Sequence, residues 1–222
     1  PISNEEKLRQ YFFAYVAGIG QPLTVRTAFG ADVTWENNNK FSLTYCISDT
    51  FGGKKADTIT AMALANSSWS DRIAVRFQYM PEEDAHCTSA NANVTFDINP
   101  VSDSYFARSF FPNDVRAQRN ILITDAAFTT IDGGRDLQGI LRHELGHILG
   151  FRHEHIWTAA CATEATADAR QVTEYDVNSV MHYPQCRPSM AGGYRQTETD
   201  YRGAVSLYGL APALIVASLS AL

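Results

Sequence analysis

The sequence has few charged residues and no cluster of basic ones. Of its 222 residues 19% are charged, and 18 Lys and Arg against 24 Asp and Glu give a formal net charge of −6. Without a basic patch, neither nucleic acid nor an anionic membrane surface is expected as a partner. Internal repeats and low-complexity segments are also absent, and 45% of the residues are hydrophobic. We therefore expect one folded domain with its own core, acting as a monomer.

A hydrophobic run long enough to cross a membrane is lacking as well. The apolar tail at residues 211 to 222 is shorter than the roughly 20 residues that a membrane-spanning helix needs. No membrane span is predicted, and the tail is expected to pack against the domain or to take part in association.

Cysteine is scarce, with Cys46, Cys87, Cys161 and Cys186 as its four representatives. Four cysteines allow three disulfide pairings, of which the local one joins Cys46 to Cys87 and Cys161 to Cys186. We predict these two disulfides. Four buried free thiols are the alternative, because a chain of this size can fold without disulfides. If paired, the cysteines indicate an oxidising compartment and a secreted, extracellular protein.

Histidine is also scarce, yet five of the six histidines fall between residues 143 and 182. Residues 143 to 154 read His-Glu-Leu-Gly-His-Ile-Leu-Gly-Phe-Arg-His-Glu. In a helix that advances about 100° per residue, His143 and His147 lie about 40° and one turn apart, so both can bind one ion. Gly150 can end the helix in a left-handed conformation that brings His153 to the same ion. Three histidines and an open position for water are typical of catalytic zinc, beside which Glu144 can act as general base.

The short His-Glu-x-x-His pattern alone occurs by chance in many helices. Here it is extended to His-Glu-x-x-His-x-x-Gly-x-x-His and followed by Ser-Val-Met-His-Tyr at residues 179 to 183, the metzincin signature with its Met-turn. From about residue 32 to residue 209 the chain resembles the metzincin zinc metallopeptidases. Residues 150 to 154 and 179 to 183 are most similar to astacins, whereas residues 107 to 112 and 199 to 209 are similar to matrixins. The mixture resembles a secreted bacterial relative of both.

The resemblance implies an α+β fold of the metzincin type. An α/β upper subdomain, with a twisted mixed sheet and the zinc-binding helix, would end near residue 153. An irregular lower subdomain with the Met-turn and a C-terminal helix would follow. The chain is thereby divided into an N-terminal extension or pro-like segment (residues 1 to 31), a catalytic domain (residues 32 to 209) and an apolar tail (residues 210 to 222).

Apolar periodicity and capping residues predict the individual elements. Strands are expected at residues 42 to 47, 72 to 79, 94 to 98, 105 to 111 and 120 to 124. Helices are expected at residues 3 to 18, 58 to 69, 137 to 150 and 200 to 208.

Two interpretations of the first 31 residues are open. As a pro-segment they would block the cleft, with Asp32 capping the zinc in place of water. A cysteine switch within this segment is not expected, since residues 1 to 45 contain no cysteine. As a permanent part of the domain, their predicted helix would contribute to stability.

The implied function is that of a secreted zinc endopeptidase in which zinc-activated water attacks peptide bonds and Glu144 is the general base. In the family, Met181 would form a hydrophobic floor beneath the zinc. By analogy with astacins, Tyr183 would bind the resting zinc and then stabilise the oxyanion. One catalytic zinc is expected. A second, structural zinc is not, because His86 is the only histidine before the zinc helix. Asp132, Asp136 and the region of residues 97 to 103 could hold calcium, but acidic loops are common and none of these matches a known calcium loop.

Substrate peptides of metzincins lie antiparallel to an edge strand, which residues 105 to 111 resemble. Tyr105, Ala107 and Ser109 are therefore candidate substrate-binding residues. Arg187, after the Met-turn, either favours an acidic side chain after the scissile bond or is an ordinary surface arginine. Two other functions stay open: a zinc-bound pseudoprotease or binding module without turnover, and a zinc hydrolase of small amides or esters.

Overall fold

The computed structural model describes residues 23 to 129, 135 to 157, 164 to 173, 175 to 183, 186 and 194 to 214. In chain order the strands are β1 (Thr24–Ala28), β2 (Ala31–Asp32), β3 (Leu43–Ile47), β4 (Phe77–Tyr79), β5 (Phe96–Pro100), β6 (Ala107–Arg108), β7 (Asn120–Ile123) and β8 (Ala169–Gln171). The helices are α1 (Lys55–Ser70), α2 (Leu137–Ile148) and α3 (Glu198–Tyr208).

The larger sheet has the strand order β4-β3-β5-β7-β6. Strands β3, β4, β5 and β7 run parallel, and β6 pairs antiparallel with β7 at the edge. Side chains such as Phe96, Ile98 and Ile121 are fully buried against the helices. This mixed sheet with helices confirms the predicted fold class.

Helix α1 supports the zinc helix from behind. Its buried residues recur at helical spacing and form one stripe: Thr58, Ala61, Met62, Ala65 and Trp69. The indole nitrogen of Trp69 donates to the carbonyl of Arg142 in α2 at 3.0 Å. The Trp69 ring also stacks on Phe151, with 5.7 Å between centroids. The single side chain of Trp69 thus holds α2 through a hydrogen bond at Arg142 and packs on Phe151, just after the helix ends.

A smaller antiparallel sheet, β2-β1-β8, was not predicted. Leu23 and Val25 are fully buried, and Val25 forms a bridge with Phe151, which lies within the zinc motif. Residues 23 to 25 are therefore packed into the domain, while the proposed boundary at residue 32 stays a prediction. The carboxylate of Asp32 is held by Arg170, whose Nε lies 2.9 Å from Oδ1, so Asp32 has a partner other than a metal ion. The predicted helix at residues 3 to 18 lies outside the described residues.

Two predicted strands are shorter than expected. The strand predicted at residues 72 to 79 is reduced to β4, because Ile73 forms a bridge with Leu210 and Ala74 N donates to the carbonyl of Gly209 at 2.9 Å. The strand predicted at residues 105 to 111 is reduced to β6, because Phe111 N turns to the carboxylate of Asp114 at 2.8 Å. The strands β3, β5 and β7 and the helices α1, α2 and α3 confirm the predictions to within a few residues.

The predicted disulfide between Cys46 and Cys87 is present, with 5.6 Å between the Cα atoms. It ties β3 to the turn after residues 81 to 86. Cys186 is disulfide-bonded, but Cys161 lies outside the described residues, and its pairing stays a prediction.

The start of the predicted tail packs on the domain. Leu210 forms the bridge with Ile73, and the buried Ala211 donates its N–H to the carbonyl of Arg72 at 3.1 Å. Residues 215 to 222 lie outside the described part. Within the part of the chain that the structure describes, no helix has both the length and the apolar composition to cross a membrane.

Candidate active site

Helix α2 begins at a side-chain cap that also fixes its direction. The carboxylate of Asp136 accepts from Gly139 N at 2.7 Å and pairs with Arg195 Nη2 at 2.6 Å. Burial alone would raise the pKa of Asp136, but the bonds from Arg195 and Gly139 lower it. Asp136, one of the acidic residues considered for calcium, therefore acts as a helix cap with a cationic partner. From this start, the helix carries His143 and Glu144 into the interior.

Gly150 makes the turn that redirects the chain after α2. Its φ is 92°, and a Cβ placed there would lie 2.0 Å from the carbonyl oxygen of Val33. After the turn the backbone is held by β1, since Arg26 N donates to Gly150 O and Arg152 N donates to Thr24 O, both at 2.8 Å. The turn and the strand together aim His153 back at the helix.

The Nε2 atoms of the three histidines converge on one point. His153 Nε2 lies 3.2 Å from that of His143 and 3.1 Å from that of His147. On the far side of the rings, Nδ1 of His143 faces the carbonyl of Val180 at 2.8 Å, and Nδ1 of His147 faces the carbonyl of Phe151 at 2.7 Å. Nδ1 of His153 contacts the carboxylate of Glu164. These oxygens accept hydrogen bonds, so each Nδ1 holds the proton and each Nε2 presents a lone pair.

Three lone pairs at this separation repel one another unless a cation lies between them. Tetrahedral zinc with Zn–N bonds of about 2.0–2.1 Å sets its nitrogen ligands roughly 3.3 Å apart, close to the separations seen here. Burial, followed by the proximity of the other histidines, lowers the pKa of His143 well below its ordinary value and that of His147 to about 3. Both effects favour the neutral imidazole that binds metal. The residues fit one zinc ion.

Glu144 is buried beside the triad and does not belong to the group of metal-ligating atoms. Its Oε2 accepts from Ser109 Oγ at 2.8 Å, and the same Oγ lies 3.0 Å from the Glu144 carbonyl. Burial raises the pKa of Glu144 to about 7, although the bond from Ser109 acts in the other direction. A carboxyl group with such a pKa can both take up and release a proton near neutrality. The sequence predicted Ser109 as a substrate contact, and its bond to Glu144 was missed.

Met181 is fully buried under α2. A Cβ at Gly146 would lie 2.3 Å from the Met181 sulfur, so the helix and the Met-turn touch where Gly146 has no side chain. The turn is held by Asp200 of α3, whose two carboxylate oxygens accept from Ser179 Oγ at 2.6 Å and Val180 N at 2.8 Å. Because the carbonyl of Val180 also faces His143, Asp200 helps to orient a ligand that it does not touch.

The ring of Tyr183 packs against the histidine triad. Its ring centroid lies 4.2 Å from that of His153 and 4.5 Å from that of His155. His155 and His182, whose spacing is wrong for ligands of the same ion, are buried next to the site. His182 is held by the hydroxyl of Tyr175 at 2.7 Å.

The triad opens into a cleft of about 380 Å³. One rim of the cleft is formed by residues 107 to 109, as expected for an edge strand. Tyr183 also lines the cleft. Tyr105 does not line it; its carbonyl instead accepts from Thr124 Oγ1 at 2.7 Å. Arg187 lies outside the described residues. The cleft also contains charged residues that the sequence analysis missed: Arg26, Arg152, Glu164 and Asp168.

The profile of the matrixin family matches residues 34–183, about two thirds of the chain, including all three histidines and Met181. The chain belongs to the matrixin family. No curated protein sequence matches it. Among solved structures it is similar to high choriolytic enzyme 1, a hatching enzyme zinc-protease from the medaka fish Oryzias latipes. The match has a TM-score of 0.51 at 17% identity and covers 83% of this chain and 98% of the other, which shows a common fold.

As a matrixin, the protein is a metzincin-type zinc metalloendopeptidase with a catalytic zinc ion and protein substrates. The predicted enzyme class is thus confirmed. A bacterial origin, a secreted location and the monomeric state are untested and stay predictions.

Proposed function

We propose that this matrixin is a secreted endopeptidase that cleaves internal peptide bonds, with Glu144 as its general base. The convergence of three imidazole nitrogens beside a buried glutamate, in an open cleft, carries the proposal. Among the described residues β6 pairs only with β7, so an extended peptide can add to its other edge through backbone hydrogen bonds. The Cys46–Cys87 disulfide supports an oxidising compartment.

In the proposed mechanism, His143, His147 and His153 hold the zinc ion. When bound, zinc lowers the pKa of a water molecule to about 7 and polarises a carbonyl oxygen. Glu144 takes up the proton of the attacking water and then delivers it to the leaving amine. The bond from Ser109 occupies Oε2 and fixes the carboxylate, so that Oε1 makes the transfer.

Tyr183 completes the proposed site by donating its hydroxyl to the carbonyl oxygen as negative charge develops. Burial, reinforced by the charges of Glu144 and Glu164, raises the pKa of Tyr183 above its ordinary value. The hydroxyl therefore keeps its proton throughout the working range of the enzyme. Ala107 and Ser109, at the cleft rim, are proposed to contact the substrate backbone.

The test compares cleavage of an unfolded protein with that of a dipeptide amide, in wild-type protein and two variants. Wild-type protein should cleave the unfolded protein. Glu144→Ala should retain about one zinc per chain and lose activity by at least about 100-fold, since a general base contributes 10²- to 10⁴-fold. His153→Ala should lose zinc.

Each other outcome identifies an alternative. A zinc-loaded wild-type protein that cleaves neither substrate is a pseudoprotease or a binding module. Cleavage of the dipeptide amide alone indicates a hydrolase of small amides. Near-normal turnover in Glu144→Ala removes the assigned base.

A further inference from the structure

The three zinc ligands differ in what holds the far side of each ring. For His143 and His147 the acceptor is a backbone carbonyl. For His153 it is the carboxylate of Glu164, eleven residues further along the chain. A carboxylate carries a full negative charge and stands on a side chain, so it both orients the ring and makes Nε2 a stronger ligand.

The carboxylate of Glu164 is itself held from the other side. Arg152 Nη2 lies 3.1 Å from Glu164 Oε2, and Arg152 Nη1 lies 2.5 Å from the carboxylate of Asp168. The same Nη2 donates to the carbonyl of Ala165 at 3.2 Å. The side chains of Arg152 and Glu164 are 10% and 29% exposed, so this ion pair is partly shielded from water and holds its geometry better than a fully exposed pair does. Glu164 therefore lies between a cationic anchor and a zinc ligand.

We propose that Glu164 is a positioning residue for the third zinc ligand: its carboxylate fixes the N–H of His153 Nδ1 and thereby aims Nε2 at the metal and strengthens zinc binding. The inference depends on the zinc site alone and not on the proposed choice of substrate. Nothing in the motif of residues 143 to 154 indicates Glu164.

A different use of the same atoms is a second cation held by His153, His155 and Glu164, which lie close enough together. That ion would have to displace the proton from His153 Nδ1, since Nε2 faces the triad. It would also lie beside the guanidinium of Arg152. Both costs favour the positioning role, and metal stoichiometry distinguishes the two.

The experiment measures zinc affinity by competition with a chelator for wild-type protein, Glu164→Ala, Glu164→Gln and Asp168→Asn. Loss of an acceptor behind a ligating histidine typically costs 10–100-fold in metal affinity, and we expect a loss in that range for Glu164→Ala. Glu164→Gln keeps an acceptor oxygen without the charge, so its zinc affinity should fall by a smaller factor, only several-fold. Asp168→Asn is the matched control, because Asp168 contacts Arg152 but not His153, and it should bind zinc almost as the wild type does.

Two further readouts separate positioning from general stability. The absorption spectrum of the cobalt-loaded protein should change in Glu164→Ala and be largely restored in Glu164→Gln, whereas the melting temperature of the metal-free variants should stay close to that of the metal-free wild type. Zinc affinity of Glu164→Ala within threefold of the wild type would overturn the proposal. Two zinc ions per wild-type chain, with one lost in Glu164→Gln, would do the same. If Glu164→Ala does not fold, the zinc affinity of Glu164→Gln decides: a several-fold loss supports the proposal, and wild-type affinity overturns it.

Discussion

Hydrogen-bond partners behind the reacting groups determine the chemical state of each group in the cleft. Carbonyl groups and Glu164 keep the protons of the histidines on Nδ1, and Ser109 holds one oxygen of Glu144. Of these partners, only Phe151 lies within residues 143 to 154 of the zinc motif. The roles of the motif residues therefore depend on residues that the motif does not include.

Replacement of Ser109 by alanine should impair Glu144 without loss of zinc. A hydrogen bond to a charged group contributes about 1.5–3 kcal/mol, so kcat should fall by roughly tenfold or more. The bond from Ser109 lowers the pKa of Glu144, so its removal should also move the acid limb of the pH profile of kcat/KM to higher pH. The exposed Ser104, which bonds locally to Asp103, gives the control variant Ser104→Ala. A rise in KM at unchanged kcat would instead make Ser109 only a substrate contact.

Tyr183→Phe removes one hydroxyl and keeps the ring that packs on His153. If the hydroxyl acts on the oxyanion, kcat should fall by about tenfold or more with little change in KM, because the lost interaction belongs to the transition state. Met181→Leu, which largely keeps shape and hydrophobicity, should matter less. Steady-state kinetics on one peptide substrate compares the variants. An effect on KM alone would contradict the oxyanion role.

At the scale of elements, the zinc helix and the Met-turn were predictable, whereas their connections were not. His143, His147 and Gly150 lie within eight residues, so helix geometry alone relates them. Ser109 and Glu144 lie 35 residues apart, and Thr24, whose hydroxyl donates to Glu154, lies 130 residues from it. Strand β2, which was not predicted, has two residues. So short a strand carries too little alternation to be recognised, and its pairing is decided by the rest of the fold.

The Met-turn depends on helix α3 through the buried carboxylate of Asp200. Burial raises the pKa of Asp200 to about 6 from 3.8, despite hydrogen bonds from Ser179, Thr197 and Val180. The folded protein therefore holds this proton more tightly than the unfolded chain, and the contribution of Asp200 to the free energy of unfolding decreases as pH rises from about 4 to about 6. Two pKa units correspond to roughly 3 kcal/mol.

His143, His147 and His155 have lowered pKa values and act in the opposite direction, so the test uses a difference. The free energy of unfolding of metal-free wild-type protein, minus that of Asp200→Asn, should decrease between pH 4 and pH 6 and level off above it. Urea unfolding at several pH values measures it. A difference that stays constant across this range would show that Asp200 is not protonated in the folded state.

At the scale of the whole molecule, strand β1 joins parts that are distant in the sequence. It pairs with β8, bridges to Phe151 after the zinc helix, and carries Thr24, which bonds to the buried Glu154. Burial raises the pKa of Glu154 to about 7. Because little water reaches this carboxyl group, water would not readily replace the hydrogen bond from Thr24. The smaller sheet thus connects the residues before residue 32 to the third zinc ligand.

Two N-terminal deletions test this connection. A deletion through residue 30 removes β1, whereas a deletion through residue 22 leaves it. The longer deletion should have a lower melting temperature and weaker zinc binding than the shorter one, because Phe151 and Glu154 lose their partners in β1. Asp32→Ala should not raise activity, since Asp32 is held by Arg170. Higher activity in the longer deletion or in Asp32→Ala would favour an inhibitory segment, and equal zinc affinity of the two deletions would show that β1 does not position His153.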